Sequence, residues 1–95
     1  MSSINFIVTN PTDQNWSECW VVLTNTEGTH KTLSYFHQNV LTPQASFEAE
    51  FQREKLGNFD WSIEYIGLVD GMCVFESESH KLNCLINKLN YLKVG

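Results

Sequence analysis

The sequence predicts an all-β domain, a single antiparallel β-sandwich of about seven strands, on three observations. Apolar and polar residues alternate with a period of two in several short stretches. Turn chemistry recurs between them, at Asn10-Pro11, Glu27-Gly28, Pro43-Gln44, Gly57-Asn58 and Asp70-Gly71. No stretch carries a convincing long helical period. Ninety-five residues make one domain, 1–95, with one core. Apolar residues at 42%, charged at 18% and aromatic at 13% suit a globular chain with rings to fill the space between sheets.

Ile4, Phe6 and Val8 define the first strand, and Asn10-Pro11-Thr12-Asp13 stops it. Cys19 to Thr24 and Lys31 to Phe36 read as a hairpin about Glu27-Gly28. A two-residue loop there sets Val22 opposite Leu33 and Trp20 opposite Tyr35; a three-residue loop sets Val21 opposite Leu33. The choice decides which way Trp20 points. Ala45, Phe47, Ala49 and Phe51 alternate without error against Ser46, Glu48, Glu50 and Gln52, which makes this the clearest strand and gives it a charged outer face.

In the segment from Phe59 to Leu68, Trp61, Ile63 and Tyr65 share a face. A three-residue loop Val69-Asp70-Gly71 is expected to follow, with Gly71 left-handed and Phe75 opposite Tyr65. A two-residue turn would set Phe75 opposite Ile66 and bring Glu64 onto the apolar face. Ser77 to His80 reads as a second turn, with Glu76 opposite Lys81, Phe75 opposite Leu82 and Cys73 opposite Cys84. Leu85 to Val94 fits a last strand better than a short helix.

Charge and length narrow the function classes. Six basic against eleven acidic residues give −5, with no Lys/Arg cluster for a phosphate backbone, so nucleic acid is not an expected partner. No apolar run reaches the ~20 residues of a membrane helix. Met1 to Thr9 lacks the marks of a secretory signal, so the expected location is the cytoplasm, where the glycosylation-like Asn15-Trp16-Ser17 would go unused. Three cysteines with no CxxC pair read as reduced and buried; Cys73 and Cys84 alone would come within disulfide reach.

Chemistry-bearing constellations are weak. Glu48 and Glu50 lie roughly 6.5 to 7 Å apart along one strand face, a spacing an inverting glycosidase could use, but a solvated outer face is their ordinary role. His80 and Cys84 have ligand spacing only on a helix, so neither a metal nor a cofactor is expected, and no enzyme activity. The remaining signal is aromatic: Trp16, Trp20, Trp61 and Tyr65 among many Asn, Gln, Ser and Thr side chains.

The leading expectation is a non-enzymatic, lectin-like recognition module that binds a carbohydrate through loops at one end of the sandwich, with Asp13, Asn15, Trp16 and Trp20 as ligand-binding residues. For Trp16 the competing role is a lid folded back on the core. The alternative is a protein-interaction or inhibitor domain that associates, as a homodimer or with another chain, through a sheet edge or the exposed face of the Cys19–Phe36 hairpin.

Overall fold

The computed structural model describes residues 3–25, 32–57, 60–82 and 91–93. Among these residues eight strands lie in two sheets: β1 (Ser3–Thr9), β2 (Glu18–Asn25), β3 (Thr32–His37), β4 (Ser46–Gln52), β5 (Trp61–Val69), β6 (Met72–Glu76), β7 (His80–Leu82) and β8 (Tyr91–Lys93). The only helical element among the described residues is one turn, α1 (Arg53–Leu56). One sheet runs β4-β1-β8 and the other β3-β2-β5-β6, with β7 also paired to β5. The all-β expectation holds, with one amendment to its antiparallel character: β8 runs parallel to β1.

Strict alternation builds the first sheet. β1 and β4 pair along their full length, from Ser3 opposite Gln52 to Thr9 opposite Ser46. That register sets Phe6 beside the small Ala49 and Ile4 beside Phe51 on the inner face, so large and small side chains interdigitate. Phe6 and Phe51 meet edge to face at 5.5 Å. Outside, the Asn5 amide donates to Glu48 at 3.2 Å, and the Thr9 and Ser46 hydroxyls lie 2.7 Å apart.

Residues of the second sheet join the same buried cluster. Cys19, Val21 and Leu23 of β2 and Trp61, Ile63 and Tyr65 of β5 are buried together with Ile4, Phe6, Val8, Ala49 and Phe51. On one side β3 and β4 close the gap, His37 lying flat on Phe47 at 4.1 Å and Tyr35 stacking on the same ring at 6.1 Å. Burial in this contact lowers the His37 pKa from its ordinary value. α1 buries Leu56, whose carbonyl accepts the Trp61 indole N–H at 2.9 Å.

The hairpin registers differ from both sequence expectations. In β2–β3, Val21 faces Tyr35 and Leu23 faces Leu33. A two-residue loop would turn Tyr35 out of the core; the three-residue option has the faces right but is displaced by two residues. The connection about Glu27-Gly28 lies outside the described residues. In β5–β6 the turn is Asp70-Gly71 alone, flanked by Val69 opposite Met72, with φ of 49° and 81° as a type I′ turn requires. A bulge corrects the faces afterwards: Leu68 pairs with Cys73 and Gly67 with Phe75, leaving Val74 as the extra residue. Phe75 therefore shares the inner face with Trp61, Ile63 and Tyr65, as expected, but opposite Gly67 instead of Tyr65.

The expected Glu76–Lys81 hairpin does not form. β7 continues along β5, with Ser62 opposite Lys81 and Ile63 opposite His80. Between β6 and β7 the ladder is patched by Ser77, whose N–H donates to the Tyr65 carbonyl at 2.9 Å and whose hydroxyl accepts the Tyr65 N–H at 2.8 Å. Cys73, paired with the outward Leu68 ahead of the bulge, lies exposed as a free thiol and not inward; its expected neighbour Cys84 lies outside the described residues.

The segment between β1 and β2 is fastened at three points. Asn10, fully buried, donates to the carbonyls of Gln14 (2.8 Å) and Leu41 (2.9 Å) and accepts from the backbone and hydroxyl of Thr12 (2.9 and 2.6 Å). Trp16 exchanges both backbone hydrogen bonds with Leu41, at 3.0 and 2.8 Å. Ser17 bonds the Leu68 carbonyl through its N–H at 2.8 Å, and its hydroxyl accepts the Asp70 N–H at 3.0 Å.

The Trp16 ring then lies on bare backbone. A Cβ placed on Gly67 would stand 2.4 Å from two atoms of the indole, so only glycine admits the ring. Phe75 stacks on Trp16 at 5.4 Å, and Tyr65 lies 6.4 Å away. Gly67→Ala is expected to lower stability by about 1–3 kcal/mol through overpacking. In the Trp16→Leu background the same change should cost much less; additive losses in a denaturant-unfolding mutant cycle would contradict the contact.

Candidate functional site

The four residues singled out in the sequence do not form one site. Asp13 and Asn15 are exposed in the β1–β2 segment and line, with Gln14, an open groove of about 590 Å³. Its other wall is Val69, Asp70, Met72 and Val74, held in place by the Ser17 hydrogen bonds to the β5–β6 turn. Trp16 takes no part. Its ring is wholly buried, which corrects the expectation of an aromatic platform at the loop end.

The reason is energetic. Burying an indole removes about 150–250 Å² from water, roughly 4–6 kcal/mol as an upper estimate. Against this stands its Nε1–H, which is buried without a hydrogen-bond partner among the described residues and costs about 1–3 kcal/mol. Packing wins, and the loop tryptophan is the lid on the core.

Trp20 has the opposite fate. β2 alternates with Cys19, Val21 and Leu23 inward, so Glu18, Trp20, Val22 and Thr24 face outward. Across the strands Trp20 is flanked by Phe36 on β3 and Ile66 on β5, and Ile66 by Glu76 on β6. The Trp20 and Phe36 rings meet at 4.5 Å, tilted by 39°, and remain 38% and 37% exposed. Val22 and Leu68 adjoin this row on the same face, opposite Glu64 and Glu18 respectively. The result is an aromatic-centred apolar strip on the outside of the five-stranded sheet, bordered by carboxylates.

The other candidates separate. Glu48 and Glu50 are exposed on the outer face of β4, and Glu50 borders a 260 Å³ recess that includes Lys55. Among the described residues no group of three or more His, Cys, Asp or Glu side chains could hold a metal ion. Cys84 and His30 lie outside the described residues. No described helix is long and apolar enough to cross a membrane. Comparison with protein-family models, with curated proteins and with solved structures finds no match.

The two described thiols differ sharply. Burial pushes Cys19 up to about 12, partly offset by a backbone hydrogen bond from Ile66, while Cys73 is exposed. Brief alkylation of the folded protein, read by peptide mapping, should modify Cys73 and spare Cys19; equal labelling of both would contradict the fold. Unfolded, the Cys19 thiol ionises near its ordinary value of 9.0. Its contribution to stability is thus intact below that pH and lost as pH rises toward 12. Tyr65, also raised by burial, adds a loss of the same sign, so Cys19→Ala should flatten the alkaline stability profile without abolishing it.

Proposed function

We propose that this chain is a non-enzymatic recognition module that binds a protein partner on the outer face of the β2–β3 hairpin. The observation that carries it is the pair Trp20 and Phe36: two large rings in mutual contact on an open sheet face, each more than a third exposed. Aromatic residues set in an apolar strip with a polar border are the usual composition of an interface centre.

Two other readings have less behind them. The loop groove has polar groups for a carbohydrate in Asp13, Gln14, Asn15 and Asp70, but among the described residues no ring lines it for a sugar to stack on. The β6–β7 edge is broken by the Val74 bulge and by the interruption at Ser77, features that hinder strand addition.

Substitution separates the hairpin face from the groove. Trp20→Ala with Phe36→Ala should leave a folded protein by circular dichroism while weakening partner binding by more than about thirtyfold, the scale of one hot-spot residue. Asp13→Ala with Asn15→Ala should bind as the parent does. Partner binding or a glycan-array signal that depends on Asp13 and Asn15 but not on Trp20 would transfer the site to the groove.

A further inference from the structure

We infer that the partner presents basic side chains, Arg or Lys, around an apolar anchor; this rests on the hairpin-face reading and adds the chemistry of what it recognises. Three carboxylates share the outer face with the apolar strip: Glu18 opposite Leu68, Glu64 opposite Val22 and Glu76 opposite Ile66. Each is thus an immediate cross-strand neighbour of a strip residue, about 5 Å away between backbones. Among the described residues none of the three is in an ion pair. The one described cation on this face, Lys81, stands opposite Ser62, one outward position along β5 from Glu64, and leaves Glu18 and Glu76 without a neighbouring described cation.

A partner covering Trp20, Phe36 and Ile66 takes water from these carboxylates. A neutral or acidic surface would leave them desolvated and unpaired, an expensive arrangement, whereas guanidinium or ammonium groups at its rim would pair with them. An arginine has a second reason to settle there, since its cation can lie over the Trp20 ring. A second copy of this chain is the wrong occupant: a two-fold contact through the same face would bring the three carboxylates of each copy together. The whole-chain charge of −5 acts in the same direction, steering a basic partner inward and a like chain away.

The test is a random-peptide display selection on the immobilised full-length chain, run in parallel on Trp20→Ala/Phe36→Ala and on Glu18→Gln/Glu64→Gln/Glu76→Gln. Both variants are first checked for parental melting behaviour. The expected result is a set of peptides rich in Arg or Lys beside an apolar residue. They should be lost on the aromatic variant, bind the glutamine variant about tenfold or more weakly, and weaken steeply with salt. Peptides that need Trp20 but show no basic excess, or that bind the glutamine variant undiminished, would overturn the inference and leave the hairpin face standing. A selection that yields no Trp20-dependent peptide would remove the face itself.

Discussion

The packing of the Trp16 indole against the backbone of Gly67 is the contact on which the architecture turns. It places the largest side chain of the β1–β2 segment on β5, beneath Phe75 and beside Tyr65, while the Trp16 backbone pairs with Leu41 just before β4. One residue therefore links the approaches to both sheets. Ser17 follows immediately and fastens the β5–β6 turn, so the position of the loop groove is a consequence of the same contact. An aromatic ring on a glycine allows an approach closer than any Cβ permits, and that closeness resists small shifts of either strand.

Much of the fold was legible because face alternation is a local property. β1, β4 and β5 show their inner sets, Ile4-Phe6-Val8, Phe47-Ala49-Phe51 and Trp61-Ile63-Tyr65, in the order of the chain. Register is not local. The Val74 bulge lets a two-residue turn and an inward Phe75 coexist, a combination that counting from Asp70-Gly71 treats as exclusive. Likewise Ser77 to His80 has turn composition, yet it carries β6 onward into β7 along β5, because a serine hydroxyl supplies the acceptor that the interrupted ladder lacks. Gly67 was the available clue: a lone glycine in the apolar run Ile66-Gly67-Leu68 marks either a bulge or a close approach, and here it stands at both.

The candidate site was legible only in part for a related reason. Asp13 and Asn15 do border a groove, and Trp20 does lie exposed, but Trp16, expected beside them at the loop end, is buried. A loop ring finds a glycine to cover. A strand ring falls on whichever face the register leaves over, and the β2 inner face was already complete with Cys19, Val21 and Leu23. Trp20 and Phe36, thus displaced outward, cover each other incompletely, and the glutamates of β2, β5 and β6 share their face through the same alternation. The chemistry of the surface is a by-product of how the core was filled, which ties the proposed recognition face to packing without a dedicated motif.

Hydrogen exchange of the three indole N–H groups, resolved by nitrogen-15 NMR on the folded protein, examines this division of roles directly. Trp20 should exchange at close to the rate of a free indole; Trp61, bonded to the Leu56 carbonyl, and Trp16, shut in against Gly67, should exchange only with cooperative unfolding. If Trp16 exchanged as fast as Trp20, or if Trp20 proved as protected as the other two, the assignment of one tryptophan to the interior and the other to recognition would be wrong.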